Sequence, residues 1–164
     1  MKDLNHYVEI YKKEMEKGDI PIAYAGLVKY VMSLGNTLAK NLSDKYSFGS
    51  LLQGYMDYTY FYYSNSFLKE RKLKMGLVLN HQKVHFEIWL LGQTAPVQKK
   101  YWNFFKDKEW NAGRTEMPKY SILETVLIEN PDFSHLDALS LQIEEGLVRI
   151  SNEIERDVKS SRLD

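Results

Sequence analysis

The hydrophobic residues of the first 45 positions recur at the spacing of helices. In the first of two stripes, apolar residues stand three or four positions apart, at Leu4, Tyr7, Val8, Tyr11 and Met15. Gly18 predicts the end of this helix, and Asp19 is expected to cap the next one, with Pro21 in its first turn. The second stripe comprises Ala23, Leu27, Val31, Leu34, Leu38 and Leu42. Residues 3–45 are therefore predicted to form a helical hairpin.

After residue 45 the period falls to two, which is the period of a strand in a sheet. The segment Gln53–Tyr63 contains six aromatic residues, a composition that suits a pleated surface. Two further strands are predicted on either side of a turn centred on His81 and Gln82. An all-apolar register pairs Leu79 with Val84, Leu77 with Phe86, Met75 with Ile88, and Leu73 with Leu90.

The remaining pattern completes an α+β fold. A helix is predicted from a cap at Thr94 or Gln93 to about Lys108. Residues 120–129 are apolar at odd and even positions alike, which predicts a strand covered on both sides. Ser134, with Asp137 three residues later, is expected to cap the last helix. The sequence therefore predicts a single domain over residues 1–164, with an N-terminal helical hairpin, a three-strand antiparallel meander, a crossover helix, a fourth strand and a C-terminal helix.

Composition narrows the classes of function. The chain has 164 residues, 22 Lys and Arg against 22 Asp and Glu, and no Cys. Thiolate nucleophiles and Cys-ligated metals are therefore excluded, and the absence of a cationic surplus disfavours nucleic acid as a partner. Residues 1–9 lack the apolar core of a signal peptide, and no apolar run approaches the ~18 residues of a membrane span. A cytoplasmic protein without membrane contact is expected.

One face of the predicted hairpin combines several kinds of chemistry. In the predicted register Lys74 lies opposite Trp89, and His85 and Glu87 share their face. The odd positions of the aromatic strand are its more polar set and are expected on the same face, which would bring Asp57 close to Glu87. Such a constellation could bind a ligand or exchange protons, although a solvated sheet face with scattered charges is the simpler interpretation. The candidate site residues are Tyr55, Asp57, Lys74, His85, Glu87 and Trp89.

The element order also resembles the core of the PD-(D/E)XK nuclease fold. That resemblance implies that Asp57 and Glu87 bind Mg²⁺, with Lys74 in place of the family's lysine. Trp89 stands where that lysine belongs, and no Pro-Asp pair precedes Glu87. The nuclease-like domain is therefore kept as the alternative, and the main interpretation assigns neither a metal, a cofactor nor a catalytic residue.

Two further features concern partners. Four basic residues between Lys69 and Lys74 lie beside the aromatic strand, and cations beside aromatic rings are typical of proteins that bind single-stranded nucleic acid. Lysines on an edge strand also prevent sheets from aggregating, which is the alternative interpretation. The tyrosine-rich strand could instead pack in the core, bind a small molecule or protein, or form a homodimer. A binding module that uses this aromatic sheet face is the preferred hypothesis, rather than an enzyme.

Several segments together carry a resemblance to a family of small uncharacterised bacterial proteins. They are Gln53-Gly54-Tyr55-Met56-Asp57, Leu68-Lys69-Glu70-Arg71-Lys72-Leu73-Lys74, Phe86-Glu87-Ile88-Trp89-Leu90, Lys100-Tyr101-Trp102 and Asn130-Pro131-Asp132-Phe133. The resemblance spans nearly the whole chain. It implies a bacterial, cytoplasmic protein and carries no catalytic residue across.

Overall fold

The fold combines an antiparallel sheet with helices that precede, interrupt and follow it, so the α+β class is confirmed. The structure is a computed structural model that describes residues 1–163. The helices are α1 (Leu4–Lys17), α2 (Asp19–Asn41), α3 (Ser66–Glu70), α4 (Ala95–Phe105) and α5 (Leu136–Ser161), with a 3₁₀ turn at Glu109–Asn111. The strands are β1 (Ser47–Phe48), β2 (Tyr58–Ser64), β3 (Leu73–Asn80), β4 (His85–Gly92) and β5 (Leu123–Ile128).

The sheet is a meander in which each strand pairs antiparallel with the next, in the order β1-β2-β3-β4-β5. On one face, here called the core face, α2 packs over β1 and β2, and α5 packs over β5. This face contains the main hydrophobic cluster, which includes Leu34, Leu38, Phe61, Tyr63, Met75, Leu77, Ile88, Leu90, Ile143 and Ile154. The other face, here called the open face, carries a smaller cluster of Val78, Trp89 and Leu91 against Tyr58, Tyr60 and Tyr62.

The register of the β3–β4 hairpin differs by two residues from the predicted one. Leu79 pairs with Phe86 and Leu73 with Gly92, and the turn spans residues 81–84. Val84 leaves the strand because its φ of 51° is left-handed, a conformation that disfavours β-branched residues. A shift by two keeps every side chain on its predicted face, but it replaces every predicted partner. Lys74 therefore lies opposite Leu91 rather than Trp89.

The aromatic strand begins later than predicted, and its two faces are reversed. Regular pairing of β2 starts at Tyr58, and residues 53–57 form a loop. Phe61 pairs with Leu77 and lies on the core face at 1% exposure, whereas Tyr60 pairs with Val78 on the open face. The expectation that the odd positions of this strand share a face with Glu87 is therefore wrong. Because the odd and the even positions of β2 are both rich in aromatic residues, the sequence pattern alone did not show which set faces the core.

The last strand is an edge strand rather than a strand covered on both sides. Val126 is 48% exposed on the side away from the core. The other side of β5 packs closely against α5, since a Cβ built on Gly146 would lie only 2.5 Å from Leu127 Cδ1. Gly146, which weakens the apolar stripe of α5 in the sequence, therefore allows α5 to approach the sheet.

The helix ends confirm one predicted cap and correct two. The Thr94 side chain accepts a hydrogen bond from Val97 N at 3.4 Å and caps α4 as expected. Asp19 lies inside α2, whose N-cap is Gly18, and α5 begins after His135 without a cap from Ser134. The predicted pair of N-terminal helices is present, but α1 has no buried residue, and Leu4, Tyr7, Val8 and Tyr11 of its apolar stripe are exposed.

Candidate functional site: an aromatic groove on the open face

A groove with a volume of about 550 Å³ crosses the open face of the sheet. We call it the aromatic groove. Strands β2, β3 and β4 provide its floor, while the 53–57 loop, the segment around Lys119 and the first turn of α4 provide its rim. Its floor consists of Tyr58, Tyr60, Tyr62, Lys74, Gly76, Val78, Trp89 and Leu91. Its rim includes Tyr55, Asp57, Gln93, Thr94, Gln98, Lys119 and Tyr120.

The floor is held by contacts between aromatic rings, one pair within β2 and one that reaches across β3 from β2 to β4. Tyr58 meets the edge of Trp89 with 4.9 Å between ring centroids, and Tyr60 meets Tyr62 at 5.4 Å. Both pairs have the edge-to-face geometry that the ring quadrupole favours. Trp89 is 5% exposed, and its buried indole N–H has no hydrogen-bond acceptor among the described residues. Burial raises the pKa of Tyr62 to about 12.

Gly76 forms a notch in the centre of this floor. It lies between Tyr62 on β2 and Trp89 on β4, each of which pairs with it directly. Its φ is not left-handed, and an added Cβ would meet Leu91, Tyr62 and Val78 at 3.6–3.7 Å, which is ordinary van der Waals contact. Neither backbone conformation nor crowding therefore requires a glycine here, and its absent side chain leaves a depression in the floor beside Tyr62, Val78 and Leu91.

Lys74 provides a positive charge at one end of the floor. Its Nζ lies 3.7 Å from the centroid of the Tyr62 ring, a cation–π contact. No carboxylate among the described residues lies within 4 Å of this ammonium. Burial lowers the pKa of Lys74, because the charged form loses solvation. Lys74 thus presents a partly desolvated cation that has no anionic partner in the described part of the chain.

The 53–57 loop builds one wall of the groove around a single carboxylate. Asp57 Oδ1 accepts hydrogen bonds from Tyr55 N at 2.9 Å and Tyr58 N at 2.7 Å, and these bonds lower the pKa of the Asp57 carboxyl. Gly54 is required in this loop, because its φ is 72° and an added Cβ would lie 2.0 Å from Tyr58 O. Asp57 therefore stabilises the conformation of the loop that forms this wall.

A buried hydrogen-bond network attaches this loop to the β3–β4 turn. Thr59 Oγ1 donates to Gln53 O at 2.9 Å and lies 2.7 Å from His81 Nε2. Since the Thr59 proton is directed to Gln53, His81 Nε2 is assigned as the donor in the second bond. His81 also contacts the ring of Tyr24 at 5.1 Å, and burial lowers the pKa of its imidazole. This network connects the loop to β2, α2 and the turn.

The first turn of α4 closes the end of the groove near Leu91. Gly92 N donates to Gln98 Oε1 at 3.0 Å, and an added Cβ on Gly92 would lie 2.6 Å from Gln98 N. The absent side chain at position 92 thus lets the helix start close to the end of β4. The N-terminus of a helix carries partial positive charge, so α4 adds to the potential of Lys74 at this end.

Glu87 and His85 form a separate cluster beside the β3–β4 turn. Glu87 is 7% exposed, and its Oε2 accepts from Asn80 Nδ2 at 3.0 Å and lies 3.3 Å from His85 Nε2. Neither residue lines the groove. Lys74 and Glu87 are separated by four positions along the paired strands, which is roughly 13 Å at 3.3 Å per residue. The cluster nevertheless influences the groove electrostatically. The pKa of Tyr58 is raised mainly by burial, and next by the nearby carboxylates of Glu124, Glu87 and Asp57.

The described residues contain neither a metal-binding cluster nor a membrane-spanning helix. Within residues 1–163, no group of three or more His, Asp or Glu side chains is placed to hold a metal ion. None of the described helices combines the length and the apolar character that crossing a bilayer requires.

Comparison with known proteins identifies the family of this chain. A family model described as "Domain of unknown function (DUF7000)" matches residues 4–158. The chain belongs to the DUF7000 family. The expected membership of an uncharacterised family is thus confirmed. No curated protein and no solved structure matches this DUF7000 chain.

The structure brings together four of the six residues that the sequence singles out in this DUF7000 chain. Tyr55, Asp57, Lys74 and Trp89 line the groove, whereas His85 and Glu87 belong to the turn cluster. The strand tyrosines and Gly76 were missed, because the face of β2 was assigned to the wrong set. The signal that identifies them is the register, which places Tyr62, Gly76 and Trp89 in one row.

Proposed function

We propose that this protein binds a small molecule with a flat aromatic part in the aromatic groove, and that it acts as a ligand-binding module rather than as an enzyme. The volume of about 550 Å³ lies within the range of ~300–1,000 Å³ typical of small-molecule sites. The floor is mainly apolar, and a few polar groups converge on it from Lys74, Asp57 and Gln98. These features support recognition of shape with a small number of directed contacts.

The observation that carries this proposal is the notch above Gly76. A glycine within a strand costs about 0.5–1 kcal/mol relative to alanine, and nothing in the local backbone or packing requires one at this position. Glycine in a strand interior often marks the close approach of a ligand. Here the depression is bordered by Tyr62, Val78 and Leu91, and the rings of Tyr62 and Trp89 both line the groove, where they can contact an inserted aromatic ring.

A titration with N-phenyl-1-naphthylamine tests the proposal, because this neutral aromatic probe fluoresces when it leaves water. We expect saturable binding of one probe per chain. Gly76→Leu, which fills the notch, should weaken binding by at least about tenfold, equivalent to ~1.4 kcal/mol. Gly26→Leu is the matched control, since Gly26 lies on α2 and nothing is within 4 Å of its added Cβ. Circular dichroism and thermal melting establish that each variant is folded, and Tyr60→Ala serves as a second groove variant.

Two outcomes would overturn the proposal. The first is the absence of saturable binding to the wild-type protein. The second is wild-type affinity in folded Gly76→Leu and Tyr60→Ala. If light scattering shows a homodimer that Gly76→Leu converts to monomer, the groove is an interface between two copies instead of a ligand site. We also propose that the protein is bacterial and cytoplasmic, as the resemblance in its sequence implies.

A further inference from the structure

Resting on the function proposed above, we propose that the natural ligand of the aromatic groove is an aromatic anion, whose carboxylate, sulfonate or phosphate binds the Lys74 ammonium while its ring occupies the notch above Gly76. The geometry specifies both parts of this ligand class. Lys74 and Gly76 are two residues apart on the same face of β3, and the Lys74 Nζ lies 3.7 Å from the centroid of the Tyr62 ring, which borders the notch. A single aromatic acid can therefore place its charged group at the ammonium and its ring in the notch.

The charge distribution of the lining favours an anion over a cation. Two lysines, Lys74 and Lys119, line the groove, together with the first turn of α4. Asp57 is the acidic residue of the lining, and its Oδ1 already accepts two backbone N–H groups. Glu87 and Glu124 lie outside the lining, where Glu87 is bound to Asn80 and Glu124 to Ser121 and Arg114.

Lys74 is suited to anchor the anion, because none of residues 1–163 provides a counter-ion to it. Lys119, in contrast, is fully exposed, and its Nζ lies 5.0 Å from the centroid of the Tyr120 ring at the rim. Lys74 lies on the floor, where its Nζ is 3.7 Å from the centroid of the Tyr62 ring and is partly shielded from water. A charge-assisted contact formed in such a partly desolvated place is stronger than one formed in open water.

The test compares two probes that differ mainly by one anionic group. 1-Anilinonaphthalene-8-sulfonate carries the same two aromatic parts as N-phenyl-1-naphthylamine and adds a sulfonate. We expect the wild-type protein to bind the sulfonate more tightly than the neutral probe. Lys74→Met keeps an apolar stem of similar length and removes the charge. It should weaken binding of the sulfonate by about tenfold, while the affinity for the neutral probe should change less than about twofold.

Two control variants separate the charge at position 74 from charge elsewhere. Lys74→Arg should retain most of the affinity for the sulfonate, because it keeps a cation on the floor. Lys29→Met removes an exposed lysine from α2, on the core side of the sheet, and should leave both affinities unchanged. Added salt should weaken binding of the sulfonate in the wild-type protein and have little effect in Lys74→Met.

The outcomes distinguish this inference from the proposed function. Wild-type affinity of Lys74→Met for the sulfonate, or equal losses for both probes, would overturn the role of Lys74 and leave ligand binding in the groove standing. Failure of the wild-type protein to bind either probe would overturn both proposals. A loss of sulfonate affinity in Lys29→Met as large as in Lys74→Met would also overturn the inference, since it would indicate attraction by the overall charge.

Discussion

Phe61 and Tyr60 are neighbours on β2, yet they lie in environments that differ as much as the two faces of the sheet. Phe61 is 1% exposed and packs so closely under α2 that a Cβ built on Gly35 would lie 3.2 Å from its ring. Tyr60 is half-buried in the floor of the aromatic groove, in contact with Tyr62. Both faces are rich in large rings, so hydrophobicity alone does not separate them. What separates them is whether a helix completes the packing.

The comparison indicates how one sheet can provide stability on one face and, as we propose, binding on the other. On the core face, the hydroxyl of the fully buried Tyr63 has a partner, since Tyr63 Oη and Ser151 Oγ lie 2.8 Å apart. On the open face, the Trp89 N–H and the Lys74 ammonium lack such partners among the described residues. Unsatisfied groups and a glycine notch reduce stability, and a bound ligand can compensate for both.

The largest expected effect comes from truncating the two neighbours on β2. Phe61→Ala should lower the free energy of unfolding by about 3–5 kcal/mol, because it leaves a cavity beneath α2. Tyr60→Ala should cost less than half of that, since water can fill the space it leaves in the groove. Urea unfolding measures both values. Equal losses would show that the open face contributes to the core as much as the other face does.

A second prediction concerns alkaline pH and the buried tyrosines of the core face. Burial raises the pKa of Tyr63 far above its usual value and that of Tyr46 to about 12. Unfolded tyrosines lose their protons near pH 10, while these two keep theirs in the folded state. Stability is therefore full below pH 10 and falls as the pH rises above it, by at most about 1.4 kcal/mol per pH unit for each tyrosine.

Urea unfolding between pH 9 and 11.5, values chosen around the ~10 of free tyrosine, measures this loss. Tyr63→Phe should show a shallower decline than the wild-type protein. It should also cost about 1 kcal/mol at neutral pH, because the contact with Ser151 is lost. A decline as steep as that of the wild-type protein would contradict the burial of this hydroxyl.

A smaller effect is expected from two glycines that line the groove. Gly76→Ala should raise the free energy of unfolding by about 0.5–1 kcal/mol, since its Cβ meets only ordinary contacts. Gly92→Ala should lower stability by about 1–3 kcal/mol, because its Cβ would lie 2.6 Å from Gln98 N in the first turn of α4. Thermal melting distinguishes the two signs. Destabilisation by Gly76→Ala would mean that the notch serves packing instead of binding.

The smallest expected effect is that of millimolar Mg²⁺, which tests the nuclease-like alternative. We expect no change in melting temperature, because Asp57 Oδ1 and Glu87 Oε2 belong to separate hydrogen-bond sets at different places on the sheet. A rise in melting temperature with Mg²⁺ that Glu87→Gln abolishes would instead favour the nuclease-like domain.

The amino-acid sequence by itself determined the types and order of the main elements, and the face on which each β3 and β4 side chain lies. Alternation has a period of two, so even the register that is wrong by two residues keeps Leu77 and Ile88 on the core face and Trp89 on the other. The Thr94 cap was predictable as well, because it depends only on residues within one turn of the helix.

Only the tertiary structure decided which rings of β2 enter the core and which residues share the groove. Phe61 and Tyr63 lie in the core because α2 and α5 pack over that side, a choice that no local pattern encodes when both sides of a strand are aromatic. The cross-strand neighbours of Lys74 likewise depend on the length of the β3–β4 turn. Because the left-handed Val84 belongs to that turn, every β3–β4 pair is shifted by two residues from the predicted register. Periodicity specifies the side of a strand, whereas contacts across strands depend on turns and on packing from distant parts of the chain.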